Sequence, residues 1–210
     1  MEIRRFLALF LLVPLFLYAQ EVENNFQQRY STSVRFKADK KLKLILTPEL
    51  RTENNSSSFN EYLFEGALEY DLSKWFGLGG LYRLHHKESG DFRRYGLFAS
   101  VGKSLGNLSA SGRLLYTNEK EVGEPDEAEK MLRYQFKLRY QMKALKMTPF
   151  AAYESYRDVV EGKWHKSRYL FGVQYRLNKR YRINLQYKFD YFLQKFQNAH
   201  ILDLGLKINL

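Results

Sequence analysis

No cysteine occurs among the 210 residues, and there are only four prolines. The first absence excludes a disulfide scaffold, Cys-ligated zinc, a thiol nucleophile and the lipid-modified cysteine of a lipoprotein. The second excludes a Pro-rich linker protein. Acidic residues are also scarce: 23 Asp and Glu stand against 34 Lys and Arg, for a net charge of +11. After residue 20 no apolar run approaches the roughly 20 residues that a membrane-spanning helix needs. Aromatics are abundant, with 16 Tyr and 16 Phe in a chain whose mean hydropathy is −0.49. An apolar fraction of 45% beside 27% charged residues describes a folded chain of one or at most two domains. Strict alternation reconciles so many rings with a negative hydropathy.

Residues 1–20, MEIRRFLALFLLVPLFLYAQ, read as a secretory signal peptide. Arg4 and Arg5 form its basic region, Phe6 to Tyr18 its apolar run, and Ala19 the small residue before cleavage. At about 13 residues the run is too short to anchor the chain as a helix. The mature chain therefore starts near Gln20 or Glu21, and 21–210 is expected to form one barrel domain. Export, and basic residues spread along the chain without a clustered patch, argue against a nucleic-acid partner.

From Gln27 onward apolar and polar residues alternate with period two. In one run Leu132, Tyr134, Phe136, Leu138 and Tyr140 interleave with Arg133, Gln135, Lys137 and Arg139. The pattern predicts strands near 27–38, 42–52, 62–72, 76–86, 93–103, 107–117, 131–140, 147–157, 167–177, 181–191 and 199–210. Each is about twice the usual globular length and matches the roughly 9–11 residues of a tilted membrane-crossing strand. Polar stretches at 53–61, 86–92, 118–130, 158–166 and 192–198 predict long loops at one end. Asp39 to Lys41, Ser73 to Trp75, Ser104 to Gly106, Gln141 to Lys146 and Asn178 to Arg180 predict short turns at the other. The fold class expected is all-β, an antiparallel up-and-down transmembrane β-barrel of roughly 10–12 strands. The even-number rule for bacterial barrels favours ten or twelve over the eleven segments counted.

A soluble periplasmic ligand-binding β-barrel is the alternative and would show the same period with its apolar face inward; charge placement helps to separate the two. Tyr62, Tyr70, Tyr82, Tyr95, Tyr116, Tyr140, Tyr169, Tyr175, Tyr181 and Tyr191 lie near the ends of apolar rows, as girdles at two membrane interfaces would. The polar face carries sixteen cations: Arg29, Arg35, Lys37, Lys43, Arg51, Arg83, Arg94, Arg113, Arg133, Lys137, Arg139, Arg168, Arg176, Arg182, Lys188 and Lys207. Its seven anions are Glu49, Glu65, Glu69, Asp71, Glu154, Asp190 and Asp203. One-to-one pairing leaves most of the cations over. Two readings remain open: a water-filled lumen favouring small anionic solutes, or an Arg/Glu ladder that plugs a structural barrel.

Metal and catalytic patterns are weak. His85, His86, His165 and His200 show no zinc spacing, and no cofactor is expected. A loop-built hydrolase directed at outer-membrane lipid or peptide could pair His85 with Glu88 or Asp91 and with Ser89 or Ser167. Glu119, Glu121, Glu124, Asp126, Glu127 and Glu129 lack the DxDxDG calcium spacing. They read as a solvated loop or as a loose divalent bridge to outer-leaflet lipid.

Several short motifs carry a resemblance. They are Glu49-Leu50-Arg51, Tyr82-Arg83, Arg94, Arg113-Leu114-Leu115-Tyr116, Arg133, Arg139-Tyr140, Pro149 with Glu154, Arg168 with Gly172 and Tyr175, Tyr187, and His200-Ile201-Leu202. Together they resemble the domain of unknown function twenty-four ninety family, whose members are described as outer-membrane β-barrel proteins. The resemblance implies a membrane barrel with an inward Arg/Glu ladder and brings no established activity. It also implies a bacterial outer-membrane location, with lipid, lipopolysaccharide and the barrel-assembly machinery as partners. The last strand, HILDLGLKINL, resembles the assembly signal of such barrels but ends in Leu210 where an aromatic is usual.

Overall fold

A computed structural model of the chain describes residues 23–53, 55–123, 128–193 and 197–210. The signal peptide expected at 1–20, and Glu124, Asp126 and Glu127 of the acidic stretch, lie outside them. Every expected strand is present. In chain order they are β1 (Glu23–Lys37), β2 (Leu42–Glu53), β3 (Ser58–Asp71), β4 (Phe76–Lys87), β5 (Gly90–Leu105), β6 (Leu108–Glu121), β7 (Glu129–Tyr140), β8 (Met147–Asp158), β9 (Trp164–Arg176), β10 (Tyr181–Phe192) and β11 (Gln197–Asn209). Each pairs antiparallel with its chain neighbour, and the sheet closes where β1 meets β11. Among the described residues no helix is long and apolar enough to cross a membrane.

The strand count is eleven, within the 10–12 expected, but odd where the even-number rule favours ten or twelve. An odd meander brings its first and last strands to the seam running the same way. β1 and β11 accordingly pair in parallel, from Glu23 opposite Gln197 to Arg35 opposite Asn209. We call the end where β1 starts the upper end and the end where β11 finishes the lower end.

Connections at the upper end span 54–57, 88–89, 122–128, 159–163 and 193–196; those at the lower end span 38–41, 72–75, 106–107, 141–146 and 177–180. Neither set is systematically longer, which corrects the expectation of long loops opposite short turns. Strand pairing runs on into segments with little apolar alternation, Asn118–Glu121 and, apart from Phe59, Ser58–Glu61, which the alternation rule assigns to loops.

The wall's size follows from its register. Stepping across paired neighbours from Lys37 through Glu69, Phe98, Arg133 and Lys166 to Phe192 returns to the seam at Glu23, a shift of 14 residues (37 minus 23). Eleven strands with that stagger tilt by about 41° and set a Cα radius of ~11 Å. Inward arginines about 7 Å long, reaching from opposite sides, nearly fill such a barrel.

The apolar face points outward. Leu68, Leu97 and Phe136 are 53%, 68% and 52% exposed, whereas Glu61, Glu154, Asp190 and Asp203 are buried inside. That is the reverse of a soluble barrel. Tyr70, Tyr140, Tyr175 and Tyr181 lie close to the lower turns on the outer face. Tyr62, Tyr82, Tyr95, Tyr169 and Tyr191 are exposed in the upper half, with Tyr82 opposite Tyr95 and the Tyr153 and Tyr169 rings 5.3 Å apart.

Candidate functional site: the charged interior

The interior has two charged zones separated by an apolar waist. Phe98, Leu115, Phe150 and Leu170 project inward and are buried. Phe98 lies over Gly79 and Phe150 over Gly172, where an added Cβ would collide with each ring. These glycines make room for rings inside a narrow wall. Arg113 stacks 4.4 Å above Phe98 and Lys137 3.9 Å above Phe150, so the rings carry cations on the faces turned to the interior.

Above the waist, charge is balanced by contact. On one side Arg51 binds Glu49 at 2.5 Å and also Glu61, and Arg83 donates twice to Glu65, at 2.9 and 2.6 Å. Arg94 binds Glu119. His85 donates from Nδ1 to Glu61 at 3.0 Å, while its Nε2 lies 3.1 Å from Glu119 without hydrogen-bond alignment. On the other side Arg168 donates to both oxygens of Asp190, at 2.5 and 2.6 Å, and Lys166 reaches the same carboxylate at 3.0 Å. Lys188 binds Asp203 at 2.5 Å. Tyr156 accepts from Arg168 at 3.0 Å and donates to Glu154 at 2.5 Å, with Arg133 3.8 Å from Glu154. Arg29 on β1 is the exception: it stands between the two sides with no carboxylate in ion-pair range among the described residues, its buried Nε has no hydrogen-bond partner, and Arg51 and Arg168 act on it alongside Glu49 and Asp190. Asp190 is only 2% exposed and Glu61 3%, so this layer fills its cross-section with paired side chains.

Below the waist the balance fails. Glu69 takes Arg113 at 2.9 Å and Arg35 at 3.9 Å, and Asp71 takes Lys43 at 2.6 Å. Among the described residues Lys137, Arg139, Arg176, Arg182 and Lys207 have no carboxylate in ion-pair range. Arg176 is directly opposite Arg182, and Arg182 opposite Lys207, so three strands present an unbroken row of cations. Like charges in that position repel. The charges acting on Arg182 are Arg176, Arg35 and Arg139, all of its own sign.

The charged residues read from the sequence onto the polar face therefore project from one side of the wall, but they do not form one ladder. Glu49, Arg51, Glu65, Arg83, Arg94, Arg133, Glu154, Arg168 and Asp190 meet in the upper layer. Arg35, Lys43, Glu69, Arg113, Arg139 and Arg182 belong to the lower zone. Sequence reasoning missed Glu61, Glu119 and Lys166, which were placed in loops. Their signal was present as parity: each continues the inward set of its strand by two residues.

The hydrolase set is not assembled. His85 is engaged by Glu61 and Glu119 and has no serine partner, while Asp91 instead contacts exposed His86 at 2.5 Å. Ser167 bonds Tyr153 on the outer face at 3.0 Å. The reason is parity: His85 points inward, whereas Asp91 and Ser167 belong to outward rows. A concavity of about 1070 Å³ is lined mainly by outward side chains such as Tyr30, Leu50, Phe64 and Leu204. It runs along the outer wall beside the seam, with His86 and Asp91 also on its lining.

No curated protein matches the chain. Among solved structures it is similar to the NanC porin, at 12% identity over 89% of this chain and 99% of that one, with a TM-score of 0.58. This likeness is one of barrel fold. The KdgM porin matches at 11% identity over 79% and 91%, with a TM-score of 0.48, too low to argue from. A family model matches residues 26–200, nearly the whole barrel, and the chain belongs to that family, described as Protein of unknown function (DUF2490).

Proposed function

We propose that the chain is an integral barrel of the bacterial outer membrane acting as a narrow passive pore that favours anions. The observation that carries this reading is the row Arg176, Arg182 and Lys207, inward and without counter-charge. Cations lining a confined aqueous space concentrate anions and exclude cations of solution. The exposed apolar belt with tyrosines towards both rims supports a membrane setting, and the porin-type fold agrees with it. In that setting the belt meets lipid and lipopolysaccharide, and insertion uses the barrel-assembly machinery. The upper ion-pair layer is then the constriction that limits solute size.

A second reading is favoured by the burial of that same layer: the barrel is plugged and structural. Planar-bilayer recording of the refolded chain without residues 1–20, under a salt gradient, separates the two. Stepwise conductance with a reversal potential displaced towards chloride supports the pore. A silent bilayer containing demonstrably inserted protein supports the plug. Orientation has its own test. Phe136→Arg puts a charge in the middle of an outward row and is expected to cost about 2–4 kcal/mol of insertion free energy. Undiminished insertion into lipid vesicles would remove the membrane assignment of that face.

A further inference from the structure

The lower zone contains more than excess charge. A cavity of about 190 Å³ opens there, bounded by Arg139, Arg176 and Arg182 with Ser109, Thr148 and Gln174. Five consecutive strands, β6 to β10, build it. The β7–β8 turn frames it from below and adds Lys143 and Lys146. That turn is fixed in place: Met142 and Met147 exchange backbone hydrogen bonds, and the Lys146 carbonyl accepts from the Arg176 amide at 2.9 Å. No carboxylate lines the cavity. The Nε of Arg182 is buried and has no hydrogen-bond partner. The fold keeps Arg176 and Arg182 opposed with no carboxylate between them, an arrangement that favours an anionic acceptor from outside the chain.

We propose that this cavity binds a phosphoryl group. Three guanidinium forks suit the oxygens of a compact, multiply charged tetrahedral anion, and the hydroxyls and amide supply neutral hydrogen bonds beside them. The volume is enough to admit a phosphate or pyrophosphate. This deepens the anion reading but rests on it only for the inward aim of the cations; binding requires no conduction.

The test is calorimetric titration of pyrophosphate into the folded chain in phospholipid-free nonionic detergent at low salt. Saturable binding at one site per barrel is expected, weakened at least ~tenfold by Arg182→Gln and similarly by Arg139→Gln. Lys163→Gln, on an exposed upper loop, should bind as the parent does. Heat-modifiable migration on gels verifies that each variant is folded, and Thr148→Val supplies a milder, charge-neutral weakening. Retention of phosphatidate by the parent in native mass spectra, lost in Arg182→Gln, would assign the phosphoryl group to a lipid if pyrophosphate does not bind. Absence of binding by both probes, or full pyrophosphate affinity in the Arg139→Gln/Arg182→Gln double variant, would overturn the site. A silent bilayer alongside intact binding would remove the pore and leave the site standing.

Discussion

Above the waist, like-charged cross-strand neighbours such as Arg83 and Arg94 are each held by a carboxylate; below it, Arg176, Arg182 and Lys207 stand in a row with none. The two zones use the same residue types on the same face of the same strands. What differs is where the anions fall. Glu49, Glu61, Glu65, Glu119, Glu154, Asp190 and Asp203 all project into the upper zone, leaving Glu69 and Asp71 for the lower one. Apart from Arg29, the buried charges of the upper layer are paired, so that layer can be nearly dry and closed. An unpaired one requires water or a ligand, so the lower zone has to stay open to solvent. Arg139, Arg176 and Lys207 are indeed exposed there.

The largest effect is expected from unbalancing the closed zone. Asp190→Ala leaves Arg168 and Lys166 buried without their shared carboxylate. It should destabilise the barrel by about 3–5 kcal/mol in urea unfolding from lipid vesicles. A loss below ~1 kcal/mol would mean that water already reaches that layer.

The opposite change in the open zone should have the opposite sign. Arg182→Glu places a carboxylate between Arg176 and Lys207, relieving two direct like-charge contacts. Stabilisation of about 0.2–1 kcal/mol per relieved pair is expected, together with a smaller chloride preference in bilayers. Destabilisation would show that the row is already compensated. The smallest effect belongs outside both zones. Lys163 and Glu161 pair at 3.2 Å while more than half exposed, and Lys163→Gln should leave both stability and selectivity unchanged.

The wall was legible in the sequence because every residue between the rims sits on one of two unlike faces, and period two survives wherever that holds. Leu132 to Tyr140 is read correctly residue by residue. At the rims both faces are polar, the period fades, and hydrogen-bonded pairing continues unseen; Glu61, Glu119 and Lys166 were lost there. Two features were out of reach. The parallel seam is a property of closure, set by an odd count rather than by any local residue. The segregation of anions into one zone depends on stagger: Glu65 and Asp190 reach the same layer only because register advances by more than one residue per strand. A list of inward charges therefore gave the excess of cations but not its location.

The cysteine-free chain allows the difference between the zones to be read directly. Single cysteines at Thr148, beside the lower arginines, and at Ile201, 1% exposed within the upper layer, would be reacted with a small anionic thiol reagent in lipid vesicles. Labelling at 148 is expected to be fast, slowed by raising salt from about 0.1 to 1 M as screening shortens from ~10 to ~3 Å, while 201 stays unreactive until the barrel unfolds. Equal rates at the two positions, or a faster reaction at 201, would contradict the division of the lumen into a closed, balanced layer and an open cationic mouth.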